Sequence, residues 1–77
     1  MPRLTPVDWR RLVKVFEADG FVQERSAGSH LILVKPGVAR PIVIPRYPSI
    51  RADIILANLR TAGMSRERYL ELLASVK

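Results

Sequence analysis

The order of periodicities along the chain predicts an α+β fold: a helix, a three-stranded antiparallel sheet, a second helix, and an extra C-terminal helix. Three observations carry this reading. Apolar residues recur at helical spacing up to Gly20 and again after Ser49. Between those stretches lie short β-branched runs broken by Gly28, by Pro36-Gly37 and by a proline on each side of Ile42-Val43-Ile44. The chain of 77 residues, 48% hydrophobic and 26% charged, has the length and composition of one folded domain spanning residues 1–77 around a single core.

Each element has its own signals. Thr5-Pro6 is the expected start of the first helix, because threonine caps free amides and proline loses nothing at the first helical position. Asp8 adds negative charge in the first turn, and Trp9, Leu12, Val13 and Phe16 form the stripe expected to face the core. Gly20 is the expected left-handed stop. Strand one is expected from Phe21 to Arg25, followed by a Ser26-Ala27-Gly28 turn. Strand two covers Ser29 to Lys35, with His30, Ile32 and Val34 on one face and Ser29, Leu31 and Leu33 on the other. Strand three, Arg40 to Pro45, is bounded by prolines, so it is expected to be short or to lie at an edge. Ser49 is the expected cap of a helix running to Ala62, stopped by Gly63, and Ser65 caps the last helix.

Composition excludes several classes of function. Without cysteine there are no disulfides, thiolate nucleophiles or cysteine-bound metals. A domain this small hides only about 60% of its unfolded surface, so chemistry must sit on a face and not in a deep cavity. No run of 18 apolar residues exists, and Met1 to Arg10 lacks the apolar stretch of a signal peptide, so a soluble cytoplasmic protein that does not enter a membrane is expected. Thirteen Lys and Arg stand against seven Asp and Glu, a net charge of +6, and ten of the cations are arginine. Planar bidentate donors suit phosphates, which points to a polyanionic partner.

The single histidine, His30, belongs to the residue type that exchanges a proton near neutral pH. Gly28 and Ser29 before it are small enough for a backbone phosphate to come close. Arg25, Lys35, Arg40 and Arg46 lie in or beside the strands that hold His30 and are expected to gather around it as phosphate contacts. Tyr47 is placed either to stack on an unpaired base or to pack on the sheet. The carboxylates read as helix-end and solvated-face charges, so no metal site is expected, and no Gly-x-Ser-x-Gly elbow or phosphate-binding glycine loop occurs.

Gly20-Phe21, Arg25, Gly28-Ser29-His30, Val43-Ile44-Pro45 and Leu59-Arg60-Thr61-Ala62-Gly63-Met64-Ser65 before Tyr69-Leu70 resemble, in order and spacing, the HicA toxin family. Those toxins are small endoribonucleases of prokaryotic toxin-antitoxin systems, of type II. The resemblance implies a fold like a double-stranded RNA-binding domain, cleavage of mRNA without a cofactor, and neutralisation by a HicB-type antitoxin. It carries the catalytic histidine onto His30. Two positions depart from the family pattern: many members have a second histidine shortly after strand three, where this chain has Tyr47, and the Gly-Thr often opening the second helix appears as Asp53-Ile54. The competing reading is a non-catalytic RNA-binding module, because domains of that fold bind A-form RNA by shape and backbone contacts alone.

Overall fold

The structure, a computed structural model, describes residues 4–76. Its order is α1 (Trp9–Ala18), β1 (Val22–Ala27), β2 (His30–Val34), β3 (Ile42–Pro45), α2 (Ala52–Ala62) and α3 (Arg66–Ser75). The strands form one antiparallel sheet in the order β1-β2-β3, so β3 is an edge strand as its prolines require.

One contact explains why two helices begin later than expected. Val7 and Ile50 form an isolated antiparallel bridge, with Val7 N–H to Ile50 O at 3.2 Å and Ile50 N–H to Val7 O at 2.7 Å. Both segments are therefore extended up to that point. Thr5 and Pro6 lie exposed ahead of α1, and Asp8 caps the helix by accepting the Arg10 amide at 2.8 Å. Arg51, not Ser49, occupies the N-cap of α2 and makes no side-chain cap bond. Ser65 caps α3 through the Arg68 amide at 3.1 Å.

The α1 C-terminus closes as a Schellman motif. Gly20, at φ 103°, donates to Glu17 O, while Phe21 donates back to Phe16 O. The same reversal brings the Phe16 and Phe21 rings edge to face, 5.5 Å apart. β1 then continues to Ala27, two residues beyond expectation, and the turn is Gly28-Ser29 alone. Gly28 has φ 61° and Ser29 a negative φ, the pattern of a type II′ hairpin that matches the twist of its strands. β3 starts at Ile42, after Pro41, which has no amide hydrogen for the ladder.

The sheet's two faces differ in kind. Leu31, Leu33, Ile42 and Ile44 join Leu12, Val15 and Phe16 of α1, Ile55 and Leu59 of α2, and Tyr69 and Leu72 of α3 in one buried cluster. On the opposite face stand His30, Ile32, Val34 and their cross-strand partners. Ile32 in the central strand is buried even so, but Val22 and Val43 are 57% and 42% exposed. No helix among the described residues covers this face at His30, which is exposed.

Candidate nucleic-acid interface

His30 is the first residue of β2, directly opposite Ala27 of β1 and Pro45 of β3. It is exposed, and its ring has no hydrogen-bond or ionic partner among the described residues. The hairpin reversal needs a glycine at Gly28, and that turn puts the histidine at the tip of the sheet instead of in its interior.

Arg46 follows Pro45 and is held there on three sides. Its amide donates to Ser29 O at 2.8 Å, its Nη2 donates to Ser26 Oγ at 2.7 Å, and its guanidinium lies 5.4 Å from the centre of the Trp9 ring. The Arg10 guanidinium lies 4.9 Å from the same ring. Tyr47 is 46% exposed, and its carbonyl accepts the Trp9 amide at 3.1 Å, which ties the chain after β3 to the start of α1. Four separate segments thus meet at one end of the sheet: the α1 start, the end of β1, the Gly28-Ser29-His30 turn and the Arg46-Tyr47 loop.

The other expected phosphate contacts divide. Arg25 stands opposite Ile32 and so on the same face as His30, paired with Glu24 at 3.8 Å in solvent. Lys35 and Arg40 are at the far end. Five residues of extended chain separate Lys35 from His30, about 16 Å at strand rise, and Arg40 precedes Ile42, the partner of Leu33. Lys35 is also committed elsewhere: its Nζ is 3.3 Å from Asp19 Oδ2 and 5.7 Å from the centre of the Phe21 ring, with its side chain one-third exposed. The expected single patch is therefore two separate regions, because a strand carries its two ends apart however close they are in sequence.

Trp9 departs from the core role its helical spacing suggests. It is half-buried and presents its ring to two guanidiniums. Ser26, expected in a turn, lies in β1 and anchors Arg46 instead. No sequence signal marked either role: Trp9 is the first residue of its helix only because the Val7–Ile50 bridge delays the helix start past Thr5-Pro6. Asn58, a polar residue among the apolar positions of α2, is 8% exposed with its Nδ2 unpartnered among the described residues. No group of three or more His, Cys, Asp or Glu among the described residues is arranged to hold a metal ion.

The end of the sheet so assembled offers one exposed imidazole, one guanidinium held by Ser26 and Trp9 in the segment that follows its strand partner Pro45, and an exposed phenol. That set can bind a phosphodiester and move a proton next to it. The family model described as the HicA toxin of bacterial toxin-antitoxin systems matches residues 9–64, well over half the chain, which takes in every element except α3. No curated protein and no solved structure matches the chain significantly. With the helix, the three-stranded sheet and the exposed histidine turn all inside the matched segment, the chain belongs to the HicA family of toxins from bacterial toxin-antitoxin systems.

Proposed function

We propose that this toxin is a metal-independent endoribonuclease that cleaves mRNA at the His30 end of its sheet and is neutralised in the cytoplasm by a HicB-type antitoxin. The domain is taken as the whole of residues 1–77. The observation that carries the reading is His30, solvent-exposed and unpartnered, directly opposite Pro45, whose neighbour Arg46 is fixed by Ser26 and Trp9. The RNA backbone lies across Gly28 and Ser29, and the Arg46 guanidinium takes its non-bridging phosphate oxygens. The 2′-oxygen attacks phosphorus as the bond to the 5′-oxygen breaks, and His30 transfers a proton on one side of that exchange. Such help is worth about 10²- to 10⁴-fold, and Arg46 adds electrostatic stabilisation as charge builds on the phosphate. Arg25, on the same face, extends the contact along the backbone. Tyr47 is free to stack on a base beside the cut.

No helix among the described residues is long and apolar enough to cross a membrane. One observation favours a second reading, the non-catalytic RNA-binding module: no described group hydrogen-bonds the His30 ring to orient it. Cleavage of a synthetic RNA with chelator present separates the two. Wild-type protein should give products, His30→Ala should give none while remaining folded, and Tyr47→Phe should retain cleavage if the ring and not the hydroxyl is used. Binding without products by the folded wild type would establish the module. Full cleavage by His30→Ala would refute the assignment of the histidine.

A further inference from the structure

A second region of the molecule has no part in the chemistry above. A cleft of about 530 Å³ lies between the connection from β2 to β3 and the outer side of α2, lined by Ala39, Arg40, Ala57, Arg60 and Thr61. We propose that it is a second phosphate-binding site, which grips the RNA backbone beyond the end of the sheet opposite to His30. The choice of RNA as ligand rests on the nuclease reading.

The first argument is charge. Arg40 and Arg60 line the same opening, and neither makes a hydrogen bond or ion pair among the described residues. Every other described arginine has a polar partner, such as Asp8 for Arg10, Asp53 for Arg51 or the Leu73 carbonyl for Arg11. Two unpartnered guanidiniums converging on one cleft repel each other, and a phosphate between them removes the repulsion while filling both forks.

The second argument is the rest of the lining. It contains no carboxylate to compete, and Ala39 and Ala57 leave the floor open. The Thr61 hydroxyl is turned back to the Ala57 carbonyl at 3.1 Å, so the two arginines are the free donors. Arg60 also suits the negative end of α2, but Gly63 and Met64 already satisfy the Arg60 and Leu59 carbonyls there, and Arg40 has no such duty.

The third argument is place. Arg40 sits beyond the end of β2 opposite to His30. Arg40 lies five residues before Pro45, the strand partner of His30, a span of at most about 16 Å of extended chain, which a stacked strand advancing about 3.4 Å per nucleotide covers in about five nucleotides. The cleft therefore acts on long RNA and is out of reach of short RNA bound at His30.

The test measures binding without cleavage, using the His30→Ala protein with a twelve-nucleotide RNA, a four-nucleotide RNA and adenosine monophosphate. The Arg40→Ala/Arg60→Ala pair should weaken the twelve-nucleotide RNA about tenfold at moderate salt. It should also flatten the slope of log affinity against log salt by about 0.7, the value for one phosphate contact on a single strand. Affinity for the four-nucleotide RNA should not change, and the Arg40→Lys/Arg60→Lys pair should recover most of the loss. Equal affinity of the alanine pair for the long RNA would overturn the proposal, as would an equal loss on both lengths. Loss of monophosphate binding with long-RNA binding intact would overturn it too, assigning the cleft to a small phosphate. A protein that binds neither RNA fails the nuclease reading itself, whereas length-independent binding by the His30→Ala protein, with cleavage of the long RNA by the protein that keeps His30, fails only this one.

Discussion

Replacing Asp19 by alanine should lower the melting temperature by about 6–12 °C, because this carboxylate joins α1, the end of β2 and α3 through charge. Its oxygens lie 3.3 Å from Lys35 Nζ and 3.5 Å from Arg68 Nε, and its side chain is only 16% exposed. Fully exposed pairs contribute about 0.2–1 kcal/mol each; at this burial about 1 kcal/mol per pair is the fitting value, so about 2 kcal/mol in all. Against that, a negative charge at the C-terminal cap of α1 opposes the helix dipole, and removing it returns about 0.5 kcal/mol. The net loss is about 1.5 kcal/mol, and a domain of this size shifts by about 4–8 °C per kcal/mol. Thermal unfolding followed by circular dichroism, at low salt and at 1 M salt, measures it. The gap between wild type and variant should narrow at 1 M, where the screening length falls to about 3 Å. An unchanged or raised melting temperature at low salt would show that the pairs contribute nothing beyond the dipole cost.

Two further outcomes follow from single groups. Burial pushes the Tyr69 phenol above its ordinary value, with the Arg11 guanidinium pulling partly the other way. The folded state therefore keeps its proton where the unfolded chain has lost it, so this contribution to stability is complete below about pH 10 and disappears as pH rises beyond it. Tyr69→Phe should flatten that alkaline decline in denaturant titrations. Its melting temperature at neutral pH should be equal or higher, since the hydroxyl has no partner among the described residues; a clear fall there would reveal a bond to the hydroxyl. Gly28→Ala meets open space but a φ of 61°, so it should cost about 1–2 kcal/mol through the backbone alone. D-alanine introduced at that position by chemical synthesis should restore wild-type stability, and an equal loss from both forms would place the cost in contacts instead.

The elements were legible in the sequence to the extent that local periodicity controls them. The alternation in His30–Val34, the proline-bounded Ile42–Pro45 and the glycine after each of the first two helices are all visible without a structure. The helix starts were not, because the extended Val7–Ile50 bridge joins residues 43 positions apart and overrides Thr5-Pro6 and Ser49 together. The site behaved in the same way. Gly28, Ser29 and His30 are local, and Arg46 and Tyr47 reach them because β3 is antiparallel to β2 and ends at His30. Lys35 is separated from His30 by the same strand geometry. Trp9 and Ser26 became visible only when tertiary structure brought the α1 start and the end of β1 against Arg46.

The tie between the Trp9 amide and the Tyr47 carbonyl has a consequence for the order of events during synthesis. The His30 end draws on residues at both ends of the first forty-seven, and the sheet beneath it rests on Ile55, Leu59, Tyr69 and Leu72, which are made after all of them. A nascent chain halted before α2 holds every residue of the proposed cleavage site yet has no surface on which to assemble them. The proposed site can therefore form only after synthesis has passed Leu72 and the helices have docked beneath the sheet.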